Sequence, residues 1–125
     1  MGIPFPWTSV VVNEPWLDAN RDVAYRYVKA LTEAIWFMKR NRPESERIIA
    51  KYMKLTDPQL TAVEYNFNVS LFPDLPYPTL EGMLLILENL ASENPEIARR
   101  DPKEFVDSSI VDRLKREQFL ESLHR

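Results

Sequence analysis

The sequence lacks cysteine and has only one histidine and two glycines among its 125 residues. Without cysteine, the chain has no disulfide, no thiolate ligand for a metal and no cysteine nucleophile. The one histidine, His124, precedes the last residue, where a solvated chain end is favoured over a catalytic base or a metal ligand. Two glycines are too few for a phosphate-binding loop or a dinucleotide fingerprint. We therefore predict that the chain is not an enzyme and holds no cofactor and no metal.

The sequence also has no long apolar run and no block of like charges. The longest apolar runs, such as Met83–Leu87, have five residues, whereas a transmembrane helix needs about twenty. The 16 basic and 19 acidic residues alternate along the chain and leave a formal charge of -3, which argues against nucleic-acid and polybasic membrane contacts. The first residues have neither the basic nor the apolar region of a signal peptide. We predict no membrane span, no nucleic-acid partner and no export signal in this chain.

One stretch, TSVVVN at Thr8–Asn13, is typical of a β-strand. Its valines give it apolar character on both faces, as in a strand that is covered on both sides. A lone strand leaves a row of N–H and C=O groups unpaired along its edge. We therefore predict that it pairs with a missing part of the protein, or with the same strand of a second copy in a homo-oligomer.

The remainder of the chain predicts about six helices, each begun by Asn, Asp, Thr or Pro. The predicted fold class is mainly α with one N-terminal strand, in a single domain over residues 1–125. Within it, 1–13 is the strand segment and 14–125 are helical, apart from a loop with three prolines at Phe72–Pro78. The predicted starts are Glu14-Pro15, Asn20, Pro43, Asp57-Pro58, Thr79 and Asp107.

The helix after Thr79 is apolar over most of its circumference, which predicts that it is the central and most buried helix. The longest helix, after Asn20, has apolar residues three and four positions apart, which predicts one buried face. That face comprises Ala24, Tyr27, Val28, Leu31, Ala34, Ile35 and Met38. We expect the two helices to pack together, with Leu84, Leu87 and Leu90 facing Ala24, Leu31 and Ile35.

An aromatic and two hydroxyl side chains, Trp7, Thr8 and Ser9, lead into the predicted strand and are candidate ligand-binding residues. Such groups at a strand edge can line a small-molecule cleft, and the alternative is a loop with one packed tryptophan. A second aromatic group suggests a stacking platform, although core packing is the favoured interpretation. Its members are Tyr65, Phe67, Phe72 and Tyr77.

The order of the elements carries a resemblance to a known family. The strand is followed by NEPWLDANRDVAYRYVKALTEAIWFMKRN, then by RPESERIIAKYMKLTDPQL, a proline-rich loop and PKEFVDSSIVDRL. This order resembles the C-terminal portion of periplasmic solute-binding proteins of ABC importers, of the nitrate/sulfonate/taurine and thiamine-pyrimidine type. The matching segments are Trp16 to Ile35, Pro43 to Tyr52 and Phe105 to Ser109, and the resemblance covers Ile3 to Leu114.

The resemblance implies a type 2 periplasmic-binding-protein fold, in which two α/β lobes hold a small solute between them. The family's chains are more than twice as long, so this chain would be a C-terminal helical part of one lobe, with TSVVVN paired to strands upstream of Met1. It implies a non-catalytic role in small-molecule uptake, a periplasmic location, an ABC permease as partner and a solute held mostly by upstream residues. The alternative function is a free-standing helical module, derived from such a domain, that binds a protein through its exposed core face.

Overall fold

The structure, a computed structural model, describes residues 8–123. Seven α-helices and two 3₁₀ turns occupy most of this range, and no β-strand occurs within it. The prediction of a mainly helical chain is confirmed. No helix within residues 8–123 is long and apolar enough to cross a membrane. The helices are α1 (Glu14–Ala19), α2 (Arg21–Arg40), α3 (Arg42–Met53), α4 (Pro58–Leu71), α5 (Leu80–Ala91), α6 (Ser109–Arg116) and α7 (Phe119–Ser122), and the 3₁₀ turns are Ile97–Arg99 and Pro102–Phe105.

Side-chain caps confirm three of the predicted helix starts. Oδ1 of Asn13 and the hydroxyl of Thr79 each accept a hydrogen bond from the backbone N–H three residues later, at 2.9 and 3.2 Å. The Asp57 carboxylate accepts from the N–H two residues later, at 2.8 Å. Each bond satisfies a donor that the first turn of a helix leaves unpaired.

Two other predicted starts differ in detail. Asn20 precedes α2, but its side chain makes no capping bond there, because Asn20 also ends α1 and its amide donates to the Trp16 carbonyl at 2.9 Å. Helix α6 begins one residue later than predicted. Ser108 takes the capping position, while Asp107 accepts from the Ser109 N–H at 2.8 Å.

The predicted strand at Thr8–Asn13 is absent from the structure. None of its six residues belongs to a helix or a strand, and all six are exposed. The side chain of Val11 reaches an exposed fraction of 84%. The prediction is wrong for the chain by itself, because a β-pattern forms a strand only where a second strand lies in reach, and residues 8–123 contain none.

One part of the core joins α2 to the last two helices. Tyr25 of α2, Leu114 of α6 and Phe119 of α7 are buried together, and Leu114 has an exposed fraction of 0%. Partly buried apolar side chains pack around this cluster, namely Val28, Ile110 and Leu123. The cluster therefore holds α2 against the last two helices of the described chain.

A second packed region joins α4 to the junction of α2 and α3. Tyr65 is buried there, and its hydroxyl donates to the Met38 carbonyl at 3.1 Å. The guanidinium of Arg42 lies 4.9 Å from the centre of the Tyr65 ring, a cation–π distance. The core-packing interpretation is confirmed for Tyr65, but it is wrong for Phe67, which is exposed.

The proline-rich loop is tied to both halves of the helical array. The ammonium of Lys39 on α2 lies 2.7 Å from the Asp74 carboxylate. The hydroxyl of Tyr77 donates to the carboxylate of Asp112 on α6, at 3.0 Å. These bonds explain why the loop follows a fixed course although each proline removes a backbone donor.

The predicted central helix, α5, lies at the periphery. Leu87 is buried, with an exposed fraction of 5%, but Leu84 and Leu90 are 46% and 45% exposed. Helix α5 packs mainly against the two 3₁₀ turns, which are too short to cover more than one side of it. The predicted pairing of α5 with α2 is therefore wrong, and the main packing partners of α2 are α1, α3 and α6.

We predict that Leu114→Ala destabilises the chain by about 2 to 5 kcal/mol, because it leaves a cavity in the contact between α2 and α6. Leu84→Ala is the matched control, since the same atoms are removed from an exposed site, and its cost should stay below about 1 kcal/mol. Urea unfolding followed by circular dichroism measures both free energies. Equal losses for the two variants would contradict this description of the core.

Candidate functional site

The predicted ligand-binding residues do not form a cleft. Thr8 and Ser9 are exposed, and Trp7 lies outside the described residues, as does His124. Neither Thr8 nor Ser9 lines either of the two best-defined surface depressions. No group of three or more histidine, cysteine, aspartate or glutamate side chains within residues 8–123 is arranged to hold a metal ion.

The two depressions lack the construction of a small-molecule site. The larger has a volume of about 310 Å³, but Ile97 is its one apolar residue, whereas ligand sites are mostly apolar and aromatic. Its lining is Asn94, Glu96, Ile97, Arg99 and Arg100. The smaller, beside Leu114 and Leu120, has a volume of about 30 Å³, which is room for a water molecule only.

A cluster of ionisable groups lies where α6 docks on α2. The Tyr25 hydroxyl donates to one carboxylate oxygen of Glu117, and Nε of Arg113 donates to the other at 2.8 Å. The Arg113 guanidinium also stacks 3.8 Å from the centre of the Tyr25 ring. From the other side, the ammonium of Lys29 lies 4.8 Å from the centre of the Phe119 ring.

The electrostatics of this cluster favour a structural role. The hydrogen bond to Glu117 raises the pKa of Tyr25, and burial adds to the effect, so the phenol keeps its proton. The hydrogen bonds from Tyr25 and Arg113 lower the pKa of Glu117, so the carboxylate keeps its charge. A general acid or base needs a pKa near the working pH, and both groups are shifted away from it. The cluster is thus a polar clamp between α2 and α6.

Helix α2 also has an exposed apolar surface. Five side chains on α2 are exposed and recur every three or four residues, which places them on one side of the helix. At 3.6 residues per turn this side is opposite the buried Tyr25, Thr32 and Ile35. We call it the outer face of α2, and it consists of Val23, Tyr27, Ala30, Ala34 and Phe37.

Two further apolar surfaces are exposed. On α4, four large side chains with exposed fractions between 37% and 62% follow one side of the helix, away from the buried Tyr65. This α4 stripe consists of Leu60, Val63, Phe67 and Leu71. The second surface is the segment Val10–Val12, which precedes α1.

The total exposed surface of the chain is larger than that expected for a compact monomer of its mass. A folded monomer of 14.7 kDa is expected to expose about 6,900 Å², whereas this structure exposes 9521 Å². Even if the nine residues outside 8–123 contributed as much as an unfolded chain, about 1,500 Å², the rest would exceed its own expectation by about 1,400 Å². This excess counts polar and apolar surface together, and contiguous exposed apolar patches such as the outer face of α2 mark interaction sites.

No protein-family model matches the chain, and neither a curated protein nor a solved structure matches it significantly. The resemblance to solute-binding proteins therefore stays a prediction.

Sequence periodicity detected the apolar residues of α2 but assigned them to one face. Tyr27 and Ala34 were predicted to lie with Ile35, yet they are exposed while Ile35 is buried. The signal for two faces was present, because apolar residues cover more of the helix than one contact can use. The bond between Tyr25 and Glu117 has no local signal, since the two residues are far apart in the sequence.

We predict that the stabilisation by the Tyr25–Glu117–Arg113 clamp is lost at acid pH. The pKa of Glu117 is lower in the folded chain than its ordinary value of 4.5, so its contribution is present above pH 4.5 and is lost as the pH falls through the folded pKa. The cost of Glu117→Gln, measured by urea unfolding, should therefore be largest at neutral pH and shrink toward zero in acid. Glu121→Gln is the control, because Glu121 is exposed and forms no ion pair within residues 8–123. A cost of Glu117→Gln that is constant with pH would contradict the clamp.

Proposed function

We propose that this chain is the C-terminal helical part of a solute-binding protein of an ABC importer, with a type 2 periplasmic-binding-protein fold. The observation that supports this proposal best is the outer face of α2. A 20-residue helix that is apolar on two opposite sides is typical of a helix buried inside a larger protein. In this proposal the upstream part of the lobe covers the outer face.

The segment Val10–Val12 supports the same arrangement. In a strand, successive side chains point to opposite faces, so Val10 and Val12 would face one side and Val11 the other. All three are apolar, as in a strand that is covered on both faces of its sheet. We propose that TSVVVN becomes a strand when its upstream neighbours are present, and that its exposure here reflects their absence.

The proposed role is non-catalytic uptake of a small solute of the nitrate, sulfonate, taurine or pyrimidine type. The solute would bind between two lobes, mostly through upstream residues. In the periplasm, the loaded protein would deliver this solute to an ABC permease. Neither of the two depressions described above is a ligand-sized apolar cleft, which is compatible with a solute site built mostly from upstream residues. Trp7, Thr8 and Ser9 stay candidate ligand contacts in the complete protein.

The second candidate function is a free-standing helical module that binds another protein. The same exposed surfaces, the outer face of α2 and the α4 stripe, favour it. Gene neighbourhood separates the two functions. An in-frame upstream lobe beside permease and ATPase genes supports the transport proposal, and a complete short gene without them supports the module.

We predict that the 125-residue chain alone binds none of these solutes, because part of one lobe cannot enclose a solute as a two-sided cleft does. A longer chain that includes the upstream lobes should bind one of them. Isothermal titration calorimetry with nitrate, taurine, an alkyl sulfonate and a thiamine-type pyrimidine tests both chains. Micromolar binding by the short chain, or no binding of any solute by the longer chain, would overturn the proposal.

We also predict a difference in amide hydrogen exchange at Val10–Val12. In the short chain these amides are exposed and should exchange at the rate of an unfolded peptide. In the longer chain they should be protected, because a strand inside a sheet pairs its N–H groups. The amide of Leu114, buried in both chains, is the protected reference. Equal exchange at Val11 in the two chains would argue for the protein-binding module.

A further inference from the structure

The outer face of α2 has the geometry of one half of a helix pair. From Val23 to Phe37 its residues are separated by four, three, four and three positions, which is the spacing of core residues in a coiled coil. A two-fold axis would set this surface against the same surface of another molecule. We infer that the free 125-residue chain forms a homodimer through an antiparallel pair of α2 helices.

One antiparallel register fits large side chains against small ones. When Tyr27 of one copy lies opposite Ala30 of the other, Val23 lies opposite Ala34. Each facing pair forms one layer of the interface, and the two-fold axis generates a second copy of each layer. Each layer then combines one large and one alanine side chain, so the helices can approach closely without a void. In the same register Phe37 reaches the junction of α1 and α2 in the second copy.

The residues on either side of this core agree with the same register. On one flank Arg26 lies beside Glu33 of the second copy, and the two-fold axis forms this pair twice. Glu33 is exposed and has no ion-pair partner of its own within residues 8–123. Arg26 is exposed and contacts Asp22 at 3.1 Å, so its guanidinium can serve both carboxylates.

The other flank is apolar in both molecules. There Ala24 lies beside Leu31 of the second copy, and both side chains are only half-buried in the single chain. A parallel pair would instead set Arg26 beside Leu31 and leave Glu33 without a partner charge. Charge and size therefore both favour the antiparallel arrangement.

The outer face of α2 is one part of the larger exposed surface of this chain. A specific interface needs about 800 Å² from each partner, and the whole described part of the chain exposes about 1,400 Å² more than a compact monomer of its size. The surface is also uninterrupted, because every residue of the outer face is exposed.

This inference does not rest on the proposed transport function. Both occupants use the outer face of α2, so the second copy and the upstream lobe exclude each other. A dimer of the short chain and solute binding by the longer chain are separate measurements, and either can fail alone.

The charge pair gives the sharpest test in solution. Sedimentation equilibrium of the native chain should give the mass of a dimer. Arg26→Glu and Glu33→Arg each set two like charges against each other and should weaken dimerisation by about tenfold. The double variant restores opposite charges and should recover most of the loss. Val11→Lys is the control for pairing through TSVVVN, and it should leave the dimer intact.

Disulfide cross-linking tests the direction of the helices, because the native chain has no cysteine. The Val23→Cys and Ala34→Cys variants are mixed and oxidised. The antiparallel register predicts the mixed disulfide as the main product, whereas a parallel pair predicts the two homodisulfides.

Three results would overturn the inference. They are a monomeric native chain at all concentrations, a dimer that Val11→Lys dissociates, and a charge-swapped double variant that is no better than the single ones. Circular dichroism of each variant confirms that its helices are retained.

Discussion

The docking of α6 and α7 onto α2 is the contact on which the rest of the structure depends. It combines the buried side chains of Tyr25, Leu114 and Phe119 with a polar clamp at its edge. The apolar part contributes most of the free energy, and the hydrogen-bonded carboxylate of Glu117 fixes the register between the helices. Since this contact occupies one side of α2, the opposite side is left uncovered. The exposed outer face is therefore a direct result of where the C-terminal helices bind.

The two proposals for that face can be ranked by effective concentration. An upstream lobe in the same chain meets α2 at an effective concentration in the millimolar range. A second copy of the chain is available only at the bulk protein concentration, which is far below the millimolar range under most conditions. A longer chain would therefore bury the outer face internally and stay monomeric, while the short chain has its own copy as the available partner. The same surface can give different assemblies according to how much of the chain is present.

The sequence predicted the structure well where the physical cause is local. Asn13, Asp57 and Thr79 cap helices because the donor they satisfy lies two or three residues away. Thr32 shows the limit of this reasoning. It was not predicted in the core, yet it is fully buried, because its hydroxyl donates to the Val28 carbonyl of the preceding turn at 2.8 Å.

Tertiary contacts could not be derived in the same way. The apolar character of α5 predicted a central position. Hydropathy indicates how much of a helix surface should be buried, but it does not identify the elements that bury it. In this chain α5 packs mainly against two short turns, so Leu84 and Leu90 stay exposed. The TSVVVN pattern failed for the same reason, because its pairing partner is absent from residues 8–123. The predicted contact residues Trp7, Thr8 and Ser9 also depend on what would surround them.

The separation in sequence between α2 and α6 also sets an order of events in folding. Helices α2, α3 and α4 follow one another in the chain and contact their neighbours, so their association closes only short loops. Docking of α6 closes a loop that includes α3, α4, α5 and both 3₁₀ turns, and the entropy of that closure is larger. Helices α2, α3 and α4 should thus assemble first, and the return of α6 and α7 should be the late, rate-limiting step. If the closure entropy is lost before the α2–α6 contacts form, mutations in that contact act mainly on how fast the chain unfolds.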